Sequence, residues 1–150
     1  LEKWDLSSLS IKPPILDMEW QIGEQDKDAA WDLYVELVTR GVIQRPEPGV
    51  GDEAAAMKGI YDLFPLTRST IKRYGRDGIN FTRIAVVMLN QKVRPFTDRW
   101  HRRVLAGALN DANRGEFREE LAGLQTDLRN YTRLLGDLAE VEDLTDLESV

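Results

Sequence analysis

The 150-residue sequence contains no cysteine. That one absence excludes disulfides, thiolate zinc sites, iron–sulfur clusters and cysteine nucleophiles together, and it fits a reducing, cytoplasmic setting. Histidine is almost absent too: His101 stands alone. Any metal site would fall to carboxylates, and no Glu-x-x-His pair of the kind that builds di-metal bundles occurs. Neither a metal nor a cofactor is expected. No apolar run approaches the ~18 residues needed to cross a bilayer, so no membrane partner is expected. Also missing are a P-loop, a dinucleotide fingerprint and a G-x-S-x-G elbow. Gly75 to Gly78 reads as a turn, not a phosphate loop, because no strand precedes it. No secretory signal is visible, and Leu1 points to a trimmed start. No internal repeat of roughly 20 to 50 residues marks a solenoid.

What is present is enough apolar sequence, 42% of residues, for one domain with its own core. The net charge of −6 conceals an asymmetry. From Pro65 to Leu109 there are ten Lys/Arg against two acids, Asp77 and Asp98, a balance of +8; the remainder carries ten against 24, a balance of −14. Acidic outer helices neutralising a basic central one would explain this, and so would a face that binds anions.

Residues 1–25 read as an extended arm. Within it Leu16, Met18, Trp20 and Ile22 alternate with Asp17, Glu19 and Gln21, the period of a strand with one buried face. Such a segment can pair with Leu6–Ile11, lie on the helices, or add to another chain. A helix follows over Asp26–Arg40, capped by Asp26 or Asp28, with Ala30, Leu33, Tyr34, Leu37 and Val38 on one face. Trp31 and Val35 widen that stripe, and Gly41 stops the helix. Gln44 to Gly51, with two prolines and two glycines, is a loop. Asp52-Glu53 starts the next helix, which Pro65 bends or breaks and Gly75 ends.

The stretch from Asn80 to Asn110 is expected to form the central helix, with Asn80 as its N-cap. Pro95 should kink it or restart it from the first position of a new helix. Phe96, Trp100, Val104 and Gly107 continue a buried stripe, and Gly107 permits a close helix crossing. The last helix has the cleanest period: Phe117, Leu121, Leu124, Leu128, Tyr131, Leu135 and Leu138 step by four and three in turn. Leu121, Leu124, Leu128 and Leu135 therefore line either an intrachain seam or an interface with another chain. Residues 140–150 hold five acids and no cation. They form an acidic tail that stays solvated or docks on the basic stretch. The expected architecture is all-α: an irregular four- to five-helix bundle over 26–139 with the strand-like arm before it.

Arg94 and His101 are separated by six residues in R-PFTDRW-H, inside a helical domain. This spacing resembles the R-x4–6-H motif of HEPN-type ribonucleases. The resemblance implies a dimer in which Arg94 and His101 of two chains face one cleft and cleave RNA without metal. Chemically, an arginine neutralises a scissile phosphate and a histidine moves protons near neutral pH. On an uninterrupted helix Arg94, Asp98 and His101 share a face. The structural alternative is a ladder of i,i+4 ion pairs, Arg94–Asp98–Arg102. Arg99, Arg102 and Arg103 around Trp100 form the candidate anion-binding cluster, with Trp100 either a stacking surface or core. The residues favour a non-catalytic interaction or regulatory module, self-associating or docked on a larger protein. The ribonuclease and a sensor for an anionic ligand such as a nucleotide are the alternatives.

Overall fold

The computed structural model describes residues 9, 11, 21–41, 53–141, 144, 145 and 147. Among them the chain is all-α, without a strand. The helices are α1 (Glu24–Arg40), α2 (Glu53–Tyr61), α3 (Leu63–Tyr74), α4 (Ile79–Met88), α5 (Arg94–Leu105) and α6 (Asp111–Leu138). A 3-10 turn, Gly75–Gly78, leads into α4, and a π turn, Leu89–Val93, joins α4 to α5. Most of the alternating segment, the loop 44–51 and most of the acidic tail lie outside the described residues. No helix among those described is long and apolar enough to cross a membrane.

Helix α1 packs against α3, α4 and α6. Its buried side chains are Ala29, Ala30, Leu33, Tyr34 and Leu37, while Trp31 and Val35 stay exposed. The apolar stripe is therefore narrower than its sequence. Asp26 does not cap α1 from outside. It sits in the first turn, 2% exposed, and its Oδ2 accepts the Gly23 N–H at 3.0 Å. The same carboxylate accepts the Phe81 N–H at 2.9 Å, in the first turn of α4. One buried acid thus serves the amide ends of two helices, where the helix dipoles favour a negative charge. Asn80 is consequently not the N-cap of α4; it lies inside the first turn and donates to the Gln21 carbonyl at 2.5 Å.

Both prolines act upstream of their own positions. Proline lacks an N–H, and its ring strikes the carbonyl four residues back. For Pro65 that carbonyl belongs to Tyr61, and the helix breaks at Asp62 between α2 and α3. For Pro95 it belongs to Gln91, and the preceding turn widens to π, with the Arg94 N–H bonded to the Leu89 carbonyl. The chain passes Pro95 without a break, and α5 runs on to Leu105. Gly107 is not a crossing point. It is exposed at φ +65, directly after α5, where the Gly107 N–H bonds to Val104 O and the Ala108 N–H to Arg103 O in a Schellman ending.

The seam of α6 is filled from within the chain: all seven of its heptad side chains are buried. Leu121, Leu124, Leu128 and Leu135 are 3%, 5%, 1% and 0% exposed, so they present no free stripe to a partner. Full burial of each contributes roughly 1.5–3 kcal/mol. Asn110 caps the helix, accepting from the Ala112 and Asn113 amides. The close crossing lies at Gly136, where an added Cβ would stand 3.0 Å from the Tyr34 ring. Beyond α6, Val141 bonds back to Gly136 O and the Leu144 N–H donates to the Tyr34 hydroxyl at 2.5 Å. Thr145 is buried. The described part of the tail thus lies on α1 and α6 and not on the basic stretch. At the other terminus Leu9 and Ile11 are buried in the core.

Candidate functional site

Helix α2 packs against α5. Tyr61 meets His101, while Phe64, three residues later, meets Arg94, seven residues earlier. Helix α5 can form such a wall because its two faces differ in kind. Phe96, Trp100 and Val104 are buried on one side. Arg94, Asp98, His101 and Arg102, at offsets of four, seven and eight, share the other. Between α5 and the α2–α3 pair lies an open groove of about 610 Å³.

Its charge is one-sided. Arg68, Arg94, Arg99, Arg102, Arg103 and His101 line it, with Asp98 as the sole carboxylate among the described residues. The expected Arg94–Asp98–Arg102 ladder does not form. Arg94 instead lies 4.9 Å over the Phe64 ring and donates its Nε–H to Asn90 Oδ1 at 3.3 Å. Among the described residues Arg68, Arg94, Arg102 and Arg103 make no ion pair with any carboxylate.

Arg99 behaves differently from its neighbours. Its guanidinium bridges Glu116 and Glu120 of α6. Hydrogen bonding to Glu116 raises its pKa above the ordinary arginine value. Glu120 also accepts the Trp100 indole N–H. Trp100 is 0% exposed, between Arg99 at 4.8 Å, Arg103 at 5.4 Å and the Phe117 ring at 5.4 Å, so no ligand can stack on it. Of the three clustered arginines, Arg102 and Arg103 remain open to an anion and Arg99 is neutralised from α6.

Two groups in the groove escaped the sequence reading. Tyr61 stacks on His101 with centroids 4.1 Å apart and an interplanar angle of 13°. Arg68 reaches the groove from α3. Tyr61, Phe64 and Arg68 stand at offsets of three and seven, a shared helical face, and that spacing was the available signal. The break expected at Pro65 separated Arg68 from the other two.

The groove on the α1–α3 side is the counterexample. There Arg73 pairs with Asp32, Arg40 with Glu36 and Asp62 with Lys58, so its charges cancel locally. No group of three His, Asp or Glu among the described residues could hold a metal ion. No family model matches the chain, and no curated protein or solved structure matches it either.

Proposed function

We propose that this chain is a non-catalytic regulatory module whose working site is the α2–α3/α5 groove, and that the groove binds a phosphate-rich anion. The observation that carries this reading is the surplus, among the described residues, of guanidiniums outside ion pairs over a single carboxylate, in a chain whose overall charge is −6. Concentrating cations there against the net charge has no role in solubility and raises the local potential for an anion. Arginine suits phosphate because its planar fork donates two parallel hydrogen bonds. The module passes the ligand's presence to a protein partner or to a second copy, in the cytoplasm.

Inorganic tripolyphosphate tests the site. At about a hundredfold excess over its Kd, a ligand specific to the folded state stabilises it by roughly 2.7 kcal/mol. Thermal unfolding should show that gain, Arg102→Ala and Arg68→Ala should each reduce it, and Arg99→Ala should leave most of it. No stabilisation by any phosphate compound would sink the reading. Mass by light scattering, with and without tripolyphosphate, reads whether occupancy changes self-association.

A HEPN-like, metal-independent ribonuclease acting as a dimer is the second reading. It is favoured by Arg94 and His101 lining one groove on an unbroken α5. It predicts RNA cleavage in the presence of a chelator, abolished by His101→Ala in a folded protein. Absence of cleavage by the wild-type chain removes it.

A further inference from the structure

The groove carries an aromatic feature that anion binding alone does not use. Tyr61 is 45% exposed, although its ring sits among the arginines. The imidazole of His101 stacks on the ring, nearly parallel to it, and the Phe64 ring lies 5.8 Å away at 62°. Nearly half of the residue stays exposed beside that stack. Phe64 and Trp100 are buried, so Tyr61 is the single open aromatic shelf among the described lining residues. Among the described residues, four guanidiniums outside ion pairs, Arg68, Arg94, Arg102 and Arg103, stand against one carboxylate, a surplus of three positive charges. A volume of about 610 Å³ is the size of a site for one small molecule.

We infer that the ligand is a nucleoside polyphosphate, its base extending the Tyr61–His101 stack and its phosphates lying among Arg68, Arg94 and Arg102. One shelf takes one base, and the charge surplus suits a tri- or tetra-anionic phosphate chain. A single strand of RNA fits less well, because strand-binding grooves offer successive stacking platforms. This inference rests on the anion-groove reading and adds the base to it.

The experiment compares the affinities of ATP, GTP, tripolyphosphate and a short oligouridine for the full chain by calorimetry. Stacking on an aromatic ring is expected to make ATP or GTP bind about tenfold more tightly than tripolyphosphate. Tyr61→Ala should erase that difference while leaving tripolyphosphate binding in place, which also shows that the variant is folded. Tyr61→Phe should keep it. Equal affinity of the wild-type chain for nucleotide and tripolyphosphate would overturn the base while the anion groove stands. Tighter binding of oligouridine than of either nucleotide would overturn it in favour of a strand. Loss of tripolyphosphate binding in Tyr61→Ala would also overturn it, since the ring would then only hold the groove together. If no phosphate compound binds at all, the anion reading fails with it.

Discussion

The seam of α6 and the open face of α5 are built on the same helical period and end up in opposite states. Along α6 every heptad side chain from Phe117 to Leu138 is buried. Along α5 the face formed by Arg94, Asp98, His101 and Arg102 lines an open groove. Apolar groups gain free energy by leaving water, so their period predicts their fate. A guanidinium is stable either in water or against a carboxylate, so its period predicts only the side of the helix. Arg99 and Arg102 make the point at three residues' distance: one is bridged by Glu116 and Glu120 of α6, the other has no ion pair among the described residues.

The contrast can be broken most forcefully at the seam. Leu128→Ala is expected to cost about 2–5 kcal/mol, because a buried leucine loses both its transfer energy and its packing. Urea unfolding measures it, and a loss under ~1 kcal/mol would show that the seam collapses around the gap. Asp26→Ala tests whether a polar residue can matter as much as a seam residue. It leaves the buried Phe81 N–H without its acceptor, at a cost of about 1–3 kcal/mol.

Glu53 offers a pH test of the charge network on α6. Its own backbone amide at the start of α2, then Arg118 and Arg114, hold its carboxyl below the usual carboxylate range. The distances are 2.9 Å to Arg114 and 3.3 Å to Arg118. A carboxyl depressed by folding contributes stability that is present in full above its unfolded value, about 4.3. That stability is lost as the pH falls through the lower folded value. Glu53→Gln should therefore flatten part of the stability loss between about pH 5 and pH 3. Unchanged acid sensitivity in the variant would show that other carboxylates dominate it. The smallest effect is expected at Arg102→Ala, within about ±0.5 kcal/mol of wild type, as at other exposed positions. A cost above ~1 kcal/mol there would erase the distinction between the open face and the seam.

The periodic parts of the fold were the legible ones. The α6 stripe, the ends at Gly41 and Gly75, and the buried side of α5 all follow from spacing and from glycine chemistry. The boundaries near Pro65 and Pro95 shifted because the conflict lies at the carbonyl four residues upstream. Gly107, expected at a close crossing, instead ends α5, and the crossing falls at Gly136. Glycine serves a left-handed ending and a close crossing equally well, and only the neighbour across the gap, Tyr34 at Gly136, tells them apart. Half of the candidate groove was legible, because Arg94, His101, Arg102 and Arg103 share one short helix. Tyr61 belongs to α2 and Arg68 to α3, and their approach depends on how those two helices lie against α5.

By itself, then, the sequence determined which residues must leave water, since burial of apolar surface is set by side-chain chemistry and helical period. It also determined what each chain cannot bring to a site: no thiolate, and no more than one imidazole. Only the tertiary structure decided which charges remain available. Asp26 is spoken for by an amide 55 residues away, Arg99 by two glutamates on another helix, and Arg68 by none among the described residues. A charge is satisfied by whatever lies within a few ångströms of it, and that neighbour is a property of the packing, not of the local sequence.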